Sequence, residues 1–261
     1  MLTYGMKMSR KIPLKLNAEP IIEAIIEIRL EASESLSDML PGVLLAKLGG
    51  KAVKTEKLPP ASIPKQIRDT DPSLSFQPLI KITLDDYRLL VGDQLVALIC
   101  PVQPYPGGAE VKQKAVELFG EVLALDIVEK VHRFSMKYTD FIAADTLAEA
   151  VSHLTVNVTL GNNGLENCNG INFQFALGQD SSLINIVRVV AVADVARKNS
   201  TTSERGIVIE VDSINKLDTQ DVDAFKNNFP QLLDSLHSAH KEVFFSLLTE
   251  DTLAKLEAVY E

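Results

Sequence analysis

Only two cysteines occur in the 261 residues, Cys100 and Cys168, in unrelated contexts and without partner spacing. Such a pair builds neither a metal knuckle nor a disulfide framework. No run approaches the roughly 18 apolar residues of a membrane span, so no membrane attachment is expected. The stretch 1–15 mixes Lys and Arg with polar residues and lacks the apolar core of a signal peptide. Together these absences predict a cytoplasmic protein. Positive charge is also short: 26 Lys and Arg stand against 35 Asp and Glu, a formal net charge of −9. A passive duplex binder carries a basic patch and a pI above about 9, whereas the pI here is near 5.1. The basic clusters from Lys7 to Lys15 and from Lys51 to Lys57 are short, and read as a solvated tail and an exposed edge strand. Nucleic acid is therefore not the expected partner.

Motifs that carry chemistry are missing too. There is no Gly-rich loop ending in Lys and Ser or Thr, no dinucleotide fingerprint, no nucleophile elbow and no HExxH. No catalytic residue, metal or cofactor is assigned from the sequence.

What is present is architecture. From Pro20 to Glu31 the chain alternates, with Ile22, Ala24, Ile26, Ile28 and Leu30 on one side and Glu23, Glu27, Arg29 and Glu31 on the other. That period of two, rich in β-branched residues, predicts a long half-buried strand. A shift of 106 positions lays Val128 on Ile22, Glu129 on Glu23, Val131 on Ile25, Phe134 on Ile28 and Met136 on Leu30. The polar face of the first strand meets Arg133 and Lys137 on the matching face of the second, which predicts a cross-strand charge ladder. His132 falls on the side of Phe134 and Met136, where a hydrogen-bonded core histidine is expected.

The remaining elements follow in the same order twice. In the first half, Ser33 to Ser37 offers N-cap chemistry for a short helix through Leu40 and Leu44, with Pro41 fitting only near its first turn. Ala52 to Leu58 reads as an edge strand. Leu79–Leu84, Arg88–Val91 and Leu95–Cys100 read as a meander joined by Asp85-Asp86 and Gly92-Asp93. Glu110 to Leu125 reads as an amphipathic helix, with Val111, Ala115, Leu118, Phe119, Val122 and Leu123 on one face. The second half offers a strand over Val128–Phe141 and a short helix over Asp145–Leu154. Strands at Thr155–Leu160, Ile171–Leu177, Leu183–Val192 and Ile207–Ile214 come next. From Asp218 onward the pattern is helical, and Pro230 is expected to kink or split it.

The predicted class is thus α+β: an irregular lead-in over 1–17 and two pseudo-repeats of β-α-β₄-α, over 18–126 and 127–261, with antiparallel sheets packed against helices. The element order resembles the tandem TATA-box-binding-protein-like fold, and a helix-grip ligand-binding fold is the alternative. At the level of phrases the chain resembles a sporadically distributed prokaryotic family of about this length. The phrases are Pro20-Ile-Ile-Glu-Ala, Leu40-Pro-Gly-Val-Leu44, Ile63-Pro-Lys-Gln-Ile-Arg-Asp-Thr-Asp-Pro72, Pro104-Tyr-Pro-Gly107, and Ala239-His240 with Phe245-Ser-Leu-Leu-Thr249. The resemblance implies an accessory, defence-linked or mobile setting. It brings no catalytic residue, and Gly108 stands where it leads one to expect an aromatic.

Candidate site residues are few. Arg68, Asp69 and Asp71 lie in the Pro-flanked segment 59–78, and charged residues on an ordered loop mark a binding surface; an Arg–Asp strap holding that loop down is an equal reading. His237 and His240 stand at i and i+3 and share a helix face. A metal site there lacks a third ligand, so polar helix-surface histidines are favoured. The reading is a non-enzymatic binding or interaction module, with a protein partner or a small ligand held between sheet and helices. Homo-oligomers are compatible with it. The alternative is an enzyme of unrecognised type with its site in the cleft between the repeats, where Arg68, Asp71 and the two histidines would be tested first.

Overall fold

The alternation of Pro20–Glu31 does make a strand, and that strand is near the middle of the molecule. The computed structural model describes residues 11–47, 54–156, 168–178, 182–196 and 203–260. Residues 157–160 of the predicted strand Thr155–Leu160 lie outside them.

The first half runs β1 (Lys15–Leu16), β2 (Ile21–Ala32), α1 (Leu36–Lys47), β3 (Lys54–Lys57), a 3₁₀ turn (Pro59–Ser62), α2 (Lys65–Thr70), β4 (Ile80–Leu84), β5 (Tyr87–Val91), β6 (Leu95–Ile99) and α3 (Gly108–Leu123). The second runs β7 (Val128–Ala143), α4 (Leu147–Ser152), β8 (Ile171–Gly178), β9 (Leu183–Ala196), β10 (Ser203–Thr219), α5 (Val222–Leu247), α6 (Glu250–Lys255) and β11 (Ala258–Val259). Among the described residues the fold is mixed α+β, with six helices and a nine-stranded antiparallel sheet in the order β3-β4-β5-β6-β2-β7-β10-β9-β8. A two-stranded ribbon of β1 and β11 ties the start of the described chain to its end. No helix among the described residues is long and apolar enough to cross a membrane.

Strands β2 and β7 are direct neighbours, with Ile26 opposite Met136, Ile28 opposite Phe134 and Arg29 opposite Arg133. Ala24, Ile26, Ile28 and Leu30 are buried on the helix-covered face. The other face carries the expected ladder. Arg133 Nη2 is 3.0 Å from Glu27 Oε1, and Lys137 Nζ is 3.1 Å from Glu23 Oε2 and 3.6 Å from Glu210 Oε2. These groups are partly solvated, so each contact contributes about 0.2–1 kcal/mol.

His132 departs from expectation. The β2–β7 register slips between Arg29 and Leu30, and Leu30 pairs with Val131. Val131 and Phe134 are therefore both buried, and the two residues between them turn outward. A β-bulge of this kind reverses the alternation that placed His132 beside Phe134. Instead of entering the core, His132 is partly exposed with Nδ1 3.0 Å from Asp218 Oδ1.

Two prolines lie inside helices. Pro41 sits at the sixth position of α1 rather than in its first turn. Helix α5 continues unbroken over 26 residues through Pro230. Its N-terminal half supplies Phe225, Phe229, Leu233 and Leu236 to a core shared with β2, β4 to β7, α1 and α3. Its C-terminal half supplies Val243, Phe244 and Leu247 to a second cluster with β9, β10, α4 and α6. Because both halves bury an apolar stripe, tertiary packing outweighs the one hydrogen bond that Pro230 removes.

Candidate functional site

The Pro-flanked segment 59–78 is held down as a strap. Arg68 is buried, and its Nε and Nη2 lie 3.1 and 2.9 Å from Asp93 Oδ2, while Nη1 donates to the Ile63 carbonyl. Asp93 sits on the turn between β5 and β6, so this ion pair pins α2 to the sheet. Asp69 pairs with Lys65 at 2.8 Å on the exposed side of α2. Asp71 accepts from the Ser73 backbone N–H and hydroxyl at 2.9 and 2.7 Å, closing a local turn. Each of the three has a structural partner, and none lines the pocket formed by the two histidines. Replacing Arg68 with alanine leaves Asp93 without its cation and the Ile63 carbonyl without its donor, at an expected cost of about 2–3 kcal/mol. Arg68→Lys should recover only part of it, because one ammonium cannot reach both acceptors in the same geometry. Urea midpoints of the two variants check this.

The histidines lead to a different place. His237 and His240 on α5 line a cavity of about 330 Å³ together with Leu14 to Leu16, Glu19 to Ile21, Tyr105, Gly107 to Ala109, Tyr138, Asp140, Lys241, Phe244 and Phe245. Its walls come from the ribbon strand β1, the start of β2, the proline-rich turn before α3, strand β7 and helix α5. The size is at the lower end of small-ligand sites, and the mixture of apolar wall with a few polar groups is typical of them.

The polar groups arrive there by interrupting apolar patterns. Along β7 the helix-facing positions read Phe134, Met136, Tyr138, Asp140, Ile142, with Asp140 only 3% exposed. Along β10 they read Ile207, Ile209, Val211, Ser213, and along β9 Asn185, Val187, Val189, Ala191, all buried. On α5, His240 is buried within the stripe of Leu233, Leu236, Val243 and Phe244. Four polar residues on core-facing positions are the signal a sequence reading could have used, since a buried polar group needs a reason to be there.

Three of the four form one array. Ser213 Oγ donates to Asn185 Oδ1 at 2.6 Å and lies 3.2 Å from His240 Nδ1. The serine has a single proton and gives it to Asn185, so it accepts from a protonated Nδ1, and His240 Nε2 is left as a bare acceptor. Burial, then the neighbouring His237, push the His240 pKa down to about 3, so the ring is neutral near pH 7. His237 is lowered too, by burial first and by Lys241 second. The Tyr138 ring lies 4.9 Å from the His240 ring, and its hydroxyl meets that of Tyr105 at 2.9 Å.

No protein-family model and no curated protein matches the chain.

Asp140 stands apart from the array. Burial, reinforced by Glu19, pushes its pKa up to about 8. Glu19 is itself raised by burial, partly offset by Lys15. Lys241 Nζ donates to the Leu14 carbonyl at 2.9 Å. The glycine at 108 also acquires a meaning: a Cβ there would come within 3.1 Å of His237 Cε1. The histidine ring therefore occupies the space beside the first turn of α3 that a larger residue at 108 would need. Among the described residues no three His, Cys, Asp or Glu side chains converge as a metal site.

A larger cavity of about 1090 Å³ lies between the β4–β5 turn and the outer face of α3, lined by Asp85, Asp86, Arg88, Glu110 and Lys114 among others. Most of its lining is solvated, and the single buried residue on it is Tyr87, whose hydroxyl has no hydrogen-bond partner among the described residues.

Proposed function

We propose that the protein is a non-enzymatic binding module that holds a small ligand in the pocket between β7 and α5. The observation that carries this reading is the convergence of Asp140, His240 and Tyr138, all on core-facing positions, with the Tyr105 hydroxyl hydrogen-bonded to that of Tyr138, around one apolar-walled cavity. Groups of this kind are costly to bury without a partner, and a ligand supplies one. A thermal-shift screen tests it. A ligand at a hundred times its Kd stabilises by about 2.7 kcal/mol, which for a chain of this size raises Tm by roughly 5–10 °C. The shift should vanish in His240→Ala. A screen without any shift, together with a specific protein that co-purifies, would transfer the function to a protein partner.

The enzyme alternative draws on one arrangement, a buried carboxyl, Asp140, whose pKa is pushed up by burial and by the neighbouring carboxyl of Glu19. His240 does not help it, since a base with a pKa near 3 is inefficient near pH 7. Turnover lost in Asp140→Asn with binding retained would favour that alternative.

The proposal extends to the architecture. Two halves related by a pseudo-dyad, as in the TATA-box-binding-protein-like fold, are supported by the outward order of strands from the β2–β7 pair. The register supports it as well: the shift of 106 relates Ile28 to Phe134, and those two residues are paired with each other, as a dyad through that point requires. An accessory, defence-linked system is the proposed setting of such a module, as the resemblance to the sporadic prokaryotic family implies; the neighbouring genes test that setting.

A further inference from the structure

Three carboxylates that are drawn in from solvent have a cation beside them: Glu27 has Arg133, Glu23 has Lys137, and Asp93 has Arg68. Asp140 is more deeply buried than any of these, and no hydrogen-bond donor among the described residues reaches its carboxyl group. It nonetheless lines the cavity, with Glu19 beside it. Of the two lysines on the lining, Lys241 donates to the Leu14 carbonyl and Lys15 lies in the field of Glu19. Beside Asp140 on the lining stand the rings of Tyr105 and Tyr138, whose hydroxyls are hydrogen-bonded to each other. Ring faces attract cations through their quadrupoles. Among the described residues Asp140 has no ion-pair partner, and a buried carboxyl beside two ring faces is an arrangement that a positively charged head group completes.

Resting on the small-ligand reading of this pocket, we propose that its ligand is a small organic cation, an amine or ammonium head seated on the Asp140 carboxylate against the Tyr105 and Tyr138 rings. No covalent step is involved. Seating the cation expels the proton that Asp140 holds in the empty pocket, since an adjacent positive charge favours the ionised carboxyl. The other titratable and charged groups facing this position are Glu19 before β2, Lys15 on β1, Tyr105 on the turn before α3, Tyr138 on β7, and His237, His240 and Lys241 on α5.

The test uses the full chain and two matched probes, n-butylamine and its neutral counterpart 1-butanol, followed through the imidazole NMR signals of His237 and His240. The amine should bind at least about tenfold more tightly than the alcohol at pH 8. Its affinity should rise by close to tenfold per pH unit from pH 6 to 7.5, while that of the alcohol stays flat. Asp140→Asn should abolish both the preference and the pH dependence. The pH series on the unmodified chain decides the matter by itself if that variant does not fold. Equal affinities for both probes at every pH would overturn the cation and leave the pocket standing. No perturbation of either histidine by any probe, in a chain that also fails to respond in the thermal screen, would overturn the pocket along with it.

Discussion

Replacing Phe134 with alanine is expected to cost about 3–5 kcal/mol, the range for deleting a fully buried aromatic ring. Phe134 is 0% exposed, and its ring lies 5.8 Å from those of both Phe225 and Phe229. Phe229 in turn meets Phe119 at 5.8 Å, so one cluster ties β7, α3 and α5 together. Because Phe134 also stands opposite Ile28 at the centre of the β2–β7 pair, its cavity opens where the sheet and both long helices meet. Tm should fall by roughly 10 °C. Phe134→Leu, which keeps most of the volume, should lose far less. Urea unfolding with an unchanged slope checks the first variant, and a loss under about 1 kcal/mol would show that the cluster relaxes to fill the space.

The second large effect is in the pH dependence of stability. Asp140 keeps its proton in the folded state up to about pH 8, whereas its ordinary value is 3.8. Its stabilising contribution is therefore full below pH 3.8 and is lost as the pH rises to 8. His240 runs the other way, being neutral in the folded state down to about pH 3 against an ordinary 6.5. Its contribution is full above pH 6.5 and is lost as the pH falls toward 3. Between roughly 3.8 and 6.5 the two slopes oppose each other and cancel. From 6.5 to 8 that of Asp140 acts alone, so stability should decline by up to about 1.4 kcal/mol per pH unit. Glu19, also raised, pulls in the same direction as Asp140. Asp140→Asn has no proton to lose, so the gap between variant and unmodified protein should widen in favour of the variant by about 2 kcal/mol from pH 6.5 to pH 8. Urea midpoints at pH 5, 6.5 and 8 measure it. A gap that stays constant across this range would remove Asp140 as the source.

Much of the secondary structure was legible because it follows from local periodicity. The apolar face read for α3 is the set that is buried, from Val111 and Ala115 through Leu118 and Phe119 to Val122 and Leu123. The turn residues Asp85-Asp86 and Gly92-Asp93 do separate the three strands of the first-half meander. The charge ladder was legible for the same reason, since period two puts Glu23, Glu27, Arg133 and Lys137 on one face once their strands pair. His132 was misread because a bulge costs one residue of register, and nothing in the neighbouring residues announces it. Arg68 was noticed as a charge on an ordered loop, but its partner Asp93 lies 25 residues away across the sheet.

The candidate site shows the same division. The sequence by itself determined the α+β class, the faces of the long strands and helices, and the pairing of His237 with His240 on one side of α5. Each of these follows from spacings of two or 3.6 residues along a single element. Only the tertiary structure decided that β2 and β7 lie side by side, that Asn185, Ser213 and His240 form one hydrogen-bonded array, and that Asp140 reaches the histidine pocket without a cation of its own. Those relations join residues from different strands and from a helix far along the chain. A carboxyl group has its pKa raised only when the elements around it close and exclude water.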